Sequence, residues 1–360
     1  MIKNKICNLE IGTLCFFISR AFLVGVTFNL FISFTKQNSW MIPLLSIIFG
    51  VIYVLAIIYI MNYKPNLNIN EKIKKVFKSK FSYLIISSIF LVCMCACIIN
   101  FLNLNNFIQG QFLNNTPILA ISILFSITSL YVVSKGLNTI SRTSNILFYI
   151  SITFIIINIL GLIPNINISN VKPFFNMNLD NYTKSLNLFY AFHICPIFLL
   201  TVIPKNNINK PKLRKTLLIS FIASAITIFL TIFFTITIYG YKLALLYEYP
   251  EFNIIKNISI TGITSRIESI LVMQWIFDFF ICNIFLIYFT TYNLKSIIKF
   301  KNEKICYIFI CLITIIGTLL LSKYTIYFDK YMKFIIPIII SVFATIIVSI
   351  ICIKIKMSKN

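Results

Sequence analysis

The sequence predicts an all-α membrane protein of ten transmembrane helices, a single polytopic domain over residues 1–360 made of two five-helix repeats, 11–164 and 186–353, in inverted topology. Three observations predict it. Hydrophobic residues make up 59% of the chain and the mean hydropathy is +0.92, well outside the range of a soluble globular domain. Apolar runs of about 20 residues, the length that crosses a hydrocarbon core, recur along the whole sequence. The formal charge of +23 is gathered mainly in short loops, with about 22 Lys and Arg on the side of the N-terminus and about nine on the other. That bias puts both termini in the cytoplasm and reads the basic charge as membrane orientation, not as a nucleic-acid surface.

The first helix, 11–35, carries Arg20 about ten residues in and Gly25 as its interior breaker. The start, MIKNKICNLEIGTLCFF, lacks a small-residue cleavage site and reads as a retained helix. Helix two, 40–61, opens at Trp40, and helix three, 81–107, contains CMCAC before an Asn-rich end. Cys93 and Cys97 share a helix face that Cys95 does not, and no second ligand pair stands at the right spacing, so no metal site is expected. The cysteines fall mostly inside apolar runs and read as free thiols. Helices four and five follow at 117–134 and 146–164.

Helix six, 186–203, holds His193, the single histidine, and Pro196, which lacks an N–H and clashes with the preceding turn. Helix seven is 216–239, helix eight 267–294, helix nine 305–321 and helix ten 334–353. The two longest connections follow the second and seventh helices, on opposite sides, as two inverted halves require. Such a plan puts a ligand site near the midplane, where the first helix of each half is broken and frees backbone groups to bind.

Helix eight is the odd one. Arg266 and Glu268 sit at its mouth, where they cap or anchor it. Asp278 lies about 11 residues in, or ~16 Å deep, and Arg20 reaches ~15 Å on helix one. A charge at such depth costs roughly 2.5 kcal/mol or more and needs a partner or a task. Gln274, Asp278 and Cys282 form one polar stripe facing the bundle interior. Two readings stay open: Arg20 and Asp278 neutralise each other, or Arg20 takes a ligand carboxylate while Asp278 takes an amine or a proton. His193 is either hydrogen-bonded packing or a proton site. No Walker loop, triad or paired carboxylates occur, so neither an enzyme nor a cofactor is expected.

The segment LYEYPEFNIIKNISITGITSRIESILVMQWIFDFF, residues 246–280, contains Pro250, Arg266, Glu268 and Trp275. It resembles the long outer loop and helix-eight entry of the B subunit of Ger-type spore germinant receptors, a branch of the amino acid-polyamine-organocation transporter superfamily. KQNSW before and through Trp40, KGLNTISR ending at Arg142, NVKPFF around Pro173, and Pro204 with its following basic run resemble the same family. Where many relatives carry Gly-x-Gly in helix one, this chain reads Arg20, Ala21, Phe22.

The resemblance implies a LeuT-like transporter fold with broken helices 1 and 6, and residence in the spore inner membrane. It also implies A and C subunits as partners and a small germinant, often an amino acid, as ligand. The ligand-binding candidates are Arg20, Gly25, His193, Pro196, Gln274 and Asp278. A proton-coupled amino acid permease is the alternative, and a ligand-free scaffold subunit a third reading.

Overall fold

A computed structural model describes residues 5–23, 26–174, 178–256, 272–298 and 302–358. Apart from one isolated bridge between Ile6 and Ile208, the described secondary structure is helical. In chain order the helices are α1 (Asn8–Arg20), α2 (Val26–Thr35), α3 (Met41–Asn62), α4 (Ile69–Val76), α5 (Ser79–Gln111), α6 (Ile118–Ser134) and α7 (Leu137–Leu162). After them come α8 (Leu179–Phe189), α9 (Leu213–Ala244), α10 (Pro250–Lys256), α11 (Met273–Ile297), α12 (Glu303–Ser322) and α13 (Thr325–Met357). Among the described residues, eight helices are long and apolar enough to cross a membrane, and α6, at 17 residues, is a shorter apolar helix.

The first helix, expected over 11–35 with an interior break, is two helices of 13 and 10 residues. The Leu23 N–H donates to the Arg20 carbonyl at 2.9 Å in a turn rather than continuing the ladder. The interruption therefore starts at Ala21; Gly25, the expected breaker, lies outside the described residues. Ending α1 at Arg20 sets a cation beside the last carbonyls of a helix, whose partial charge is negative.

The sixth helix also departs from its expected limits. α8 begins at Leu179, and α winding stops at Phe189, where a π turn (Tyr190–Ile194) and a 3-10 stretch (Cys195–Val202) take over. Pro196 is the physical cause: its ring clashes with the carbonyl one turn back and it offers no N–H, so the chain rewinds around it. Tyr53 Oη reaches the Cys195 carbonyl at 3.5 Å from α3.

Two short helices lie where the sequence reads as loop. α4 forms because Asn68 and Glu71 build a capping box, with Glu71 N–H donating to Asn68 Oδ1 and Asn68 N–H to Glu71 Oε2, both at 3.0 Å. Its buried Lys72 donates to the Ile60 and Met61 carbonyls at the end of α3, at 2.9 and 3.1 Å. Asn70 Nδ2 and Lys74 Nζ reach carbonyls of Tyr292 and Ser296 on α11, so α4 ties two spans together. α10 begins at Pro250, a residue suited to a helix start because its missing N–H is not needed there.

Polar content sorts the spans into centre and rim. α11 and the Leu179–Val202 segment each bury 72% of their most apolar window, against 17% for α7. α11 packs on α1, α5, α6, α7 and α12. α3 approaches α9 so closely at Gly50 that a Cβ there would stand 1.9 Å from the Phe221 ring. A second apolar cluster, in which Phe107 meets Tyr249 at 5.2 Å and Trp275 at 5.5 Å, covers one end of α11 with α10.

Candidate functional site

Arg20, the last residue of α1, is 3% exposed, and Asp278, in the second turn of α11, is 1% exposed. Arg20 Nη2 stands 3.1 Å from Asp278 Oδ2. The contact is ionic but poorly aligned, and among the described residues neither carboxylate oxygen receives a hydrogen bond. Arg20 Nη1 donates to Thr227 Oγ1 on α9 at 2.9 Å, the Phe16 ring lies 4.9 Å from the guanidinium carbon, and among the described residues Nε has no hydrogen-bond partner. Guanidinium and carboxylate thus neutralise each other while three of their polar atoms keep unused hydrogen-bonding capacity. Buried polar atoms are rarely left so.

A second set of polar contacts starts one residue earlier. Ser19 Oγ donates to Ser224 Oγ on α9 at 2.9 Å, and Ser224 Oγ lies 3.2 Å from His193 Nε2 in the π turn. Thr227 Oγ1, which receives the Arg20 proton, itself donates to the Ser224 carbonyl at 2.7 Å. One face of α9 therefore connects the end of α1, the distorted sixth helix and, through Arg20, α11. His193 is fully buried between the rings of Phe189 and Phe221, at 4.5 and 5.5 Å, and its Nδ1 has no hydrogen-bond partner.

Beside Arg20 lies a cavity of about 30 Å³, with Gln274, Trp275, Asn158, Thr231 and Glu251 in its walls. That is room for about one or two waters. Gln274, one turn before Asp278, leaves its Oε1 without a hydrogen bond. At about 30 Å³ the cavity is too small for a ligand of amino-acid size, which fits only if the surrounding helices move apart.

Of the sequence candidates, Arg20 and Gln274 line the cavity, Asp278 joins it through Arg20, and His193 belongs to the neighbouring Ser19–Ser224 contacts. Pro196 sits further along the sixth helix, half-buried, in the wall of a separate apolar cleft. Gly25, Arg266 and Glu268 lie outside the described residues. The remaining signature positions are dispersed. Trp40 packs edge-on against Phe174, Phe229 and Phe233 at 6.2–6.4 Å, and the Pro173 carbonyl accepts from Gln37 Nε2 at 3.2 Å. Arg142 is exposed on α7, and Pro204 precedes a short 3-10 turn. Pro250 starts α10, and Trp275 is buried against Phe107 and Phe252.

Sequence reading missed Glu251, wholly buried and facing this cavity from α10. The signal available was the Pro250–Glu251 pair, a helix-start pattern inside a stretch read as loop. Ser19, Ser224, Thr227 and Asn158 were missed because neutral polar residues are common in membrane helices and carry no mark of their own.

Three comparisons place this geometry among known proteins. Spore germination protein XB of Bacillus anthracis is 26% identical over 207 residues, covering 57% of each chain. Spore germination protein KB of Bacillus subtilis (strain 168) is 22% identical over 199 residues, 53% of this chain and 52% of that one. The alignments thus span about half the length of the curated relatives. A substrate-bound, outward-open Na⁺-coupled sialic acid symporter superposes with a TM-score of 0.63 at 12% identity, over 91% of this chain and 76% of that one. A manganese transporter of Eremococcus coleocola gives 0.57 at 11% identity, over 97% and 78%. At such identity these two show a shared fold, the LeuT-like fold of secondary transporters, and nothing finer. The family described as spore germination protein matches residues 12–327, and the chain, a multi-pass membrane protein, belongs to it.

Proposed function

We propose that this chain is the integral-membrane subunit of a spore germinant receptor, binding a small amino acid-like germinant in a midplane cavity and passing the signal to A and C subunits in the spore inner membrane. The observation that carries the reading is the buried Arg20–Asp278 pair, left among the described residues with open hydrogen-bonding capacity beside a small cavity. In this reading the broken α1–α2 and the broken sixth helix open the cavity, Arg20 turns to the ligand carboxylate, and Asp278 or Glu251 meets its amine. Pro196 lies in the second break and permits it, Gly25 is the sequence candidate for the first, and Gln274 lends its carbonyl oxygen. With α6 and the α1–α2 pair counted as crossings, the chain has ten spans in two inverted halves and both termini in the cytoplasm. Ligand binding then shifts the population between closed and open cavity states by its differential affinity for them.

The test is germination of spores carrying the full receptor with Arg20→Asp and Asp278→Arg, singly and together. A germinant-binding Arg20 predicts no response in any of the three. Restoration of a normal dose response by the double exchange would show that the pair only holds the helices together, and would sink the ligand role.

The transporter fold, shared over most of this chain, favours a second reading, a proton-coupled amino acid permease with Asp278 or His193 as the proton site. Solute uptake into reconstituted vesicles, abolished by a protonophore and by Asp278→Asn, would establish it in place of the receptor.

A further inference from the structure

On the far side of the sixth helix from the polar site lies a cleft of about 460 Å³, within the range of small-molecule sites. α13 packs on α3, α8 and the 190–202 segment, while α5 packs on α6, α11 and α12. The cleft is what remains between residues 89–99 of α5 and 336–347 of α13. Its lining is wholly apolar side chains and cysteines. Its lining includes Pro196 and Leu199 of the distorted segment, Ala96 of α5 and Ala344 of α13, as well as Leu91 and Ile339, 62% and 56% exposed.

We propose that a membrane lipid acyl chain occupies this cleft and packs against the broken sixth helix. Depth selects the occupant. α5 runs over residues 79–111 and α13 over 325–357, so the cleft takes the middle third of both helices, where a bilayer presents hydrocarbon chains and no headgroups. Water has no partners on such a surface, and a void at this density forfeits dispersion contacts on every wall. The rim, at the exposed Leu91 and Ile339, opens toward the lipid-facing surface, so a flexible chain enters without any span separating. Because the lining includes the segment that carries His193, which contacts Ser224, an acyl chain there supports the π and 3-10 winding that the polar site depends on. This claim stands apart from germinant binding and survives its failure.

The full chain is reconstituted into phosphatidylglycerol–phosphatidylethanolamine vesicles containing a phosphatidylglycerol with a mid-chain diazirine, irradiated, and mapped by mass spectrometry. Adducts are expected at Ala96, Pro196 and Leu199 as well as at Leu91 and Ile339. Ala344→Trp, which places an indole in the cleft, should lower wall labelling at least fivefold with rim labelling unchanged. Ala96→Phe serves as the independent filling variant, and circular dichroism verifies the fold of each. Labelling confined to the rim, or wall labelling that neither variant reduces, would overturn the proposal. So would benzoylphenylalanine placed at Ile339 capturing a peptide of a second copy in place of lipid.

Discussion

Arg20 and Asp278 meet 3.1 Å apart between the end of α1 and the second turn of α11, both almost inaccessible. Each offsets part of the other's desolvation penalty, yet the misaligned contact leaves both carboxylate oxygens without hydrogen bonds among the described residues. Breaking a buried pair from one side strands a charge, at about 3–5 kcal/mol, whereas replacing both partners with apolar groups is often neutral. Asp278→Leu and Arg20→Met should each lower the melting temperature in detergent sharply, and the double variant should recover most of the loss. Double-variant behaviour no better than the sum of the singles would mean that the two side chains do not share an energy.

Ser19, Ser224 and His193 form a second coupled unit. Residues in one hydrogen-bond network show interaction energies of about 0.5–3 kcal/mol in double-mutant cycles. A cycle of Ser19→Ala with His193→Leu should therefore be non-additive by at least ~0.5 kcal/mol, although the two side chains touch only through Ser224. Strict additivity in chemical denaturation would count against Ser224 as the bridge.

Gly50 is required by the proximity of α3 to the Phe221 ring on α9. Gly50→Ala forces the ring or the helix to move, and overpacking of this kind costs about 1–3 kcal/mol. Phe221→Leu in the same chain should return part of that loss. A Gly50→Ala chain that melts like the parent would show that α3 and α9 separate freely.

Burial of Lys72 on α4 pulls its amine from the ordinary 10.5 down to about 8. Between about 8 and 10.5 the unfolded chain holds this proton and the folded chain has released it, so stability rises with pH across that window; below it both states are protonated and the desolvation cost is constant. Melting temperature of the parent should gain about 2–4 °C between pH 7.5 and 9.5 relative to Lys72→Met. Equal pH profiles would mean that the amine is solvated and α4 is not docked on the end of α3.

The helical class, most span positions and the bias of basic loops follow from composition and run length alone, because a bilayer demands about 20 apolar residues per crossing. Pro196 marked a disturbed sixth helix, since a missing N–H acts locally. Its extent was not readable: the winding change starts at Tyr190, upstream of the proline, where packing decides which turn yields. Gly25 marks the first break in the sequence and lies outside the described residues, while the winding already stops at Arg20, five residues earlier.

Sequence by itself determined that Arg20, His193 and Asp278 are embedded in apolar segments and that Arg20 and Asp278 reach similar depth, because depth along a helix is residue count times rise. Only the tertiary structure decided which of them meet. Thr227 and Ser224 became partners, Glu251 entered the cavity wall and Pro196 turned to an apolar cleft because azimuth around each helix is set by the packing of its neighbours, and one residue of register rotates a side chain by about 100°.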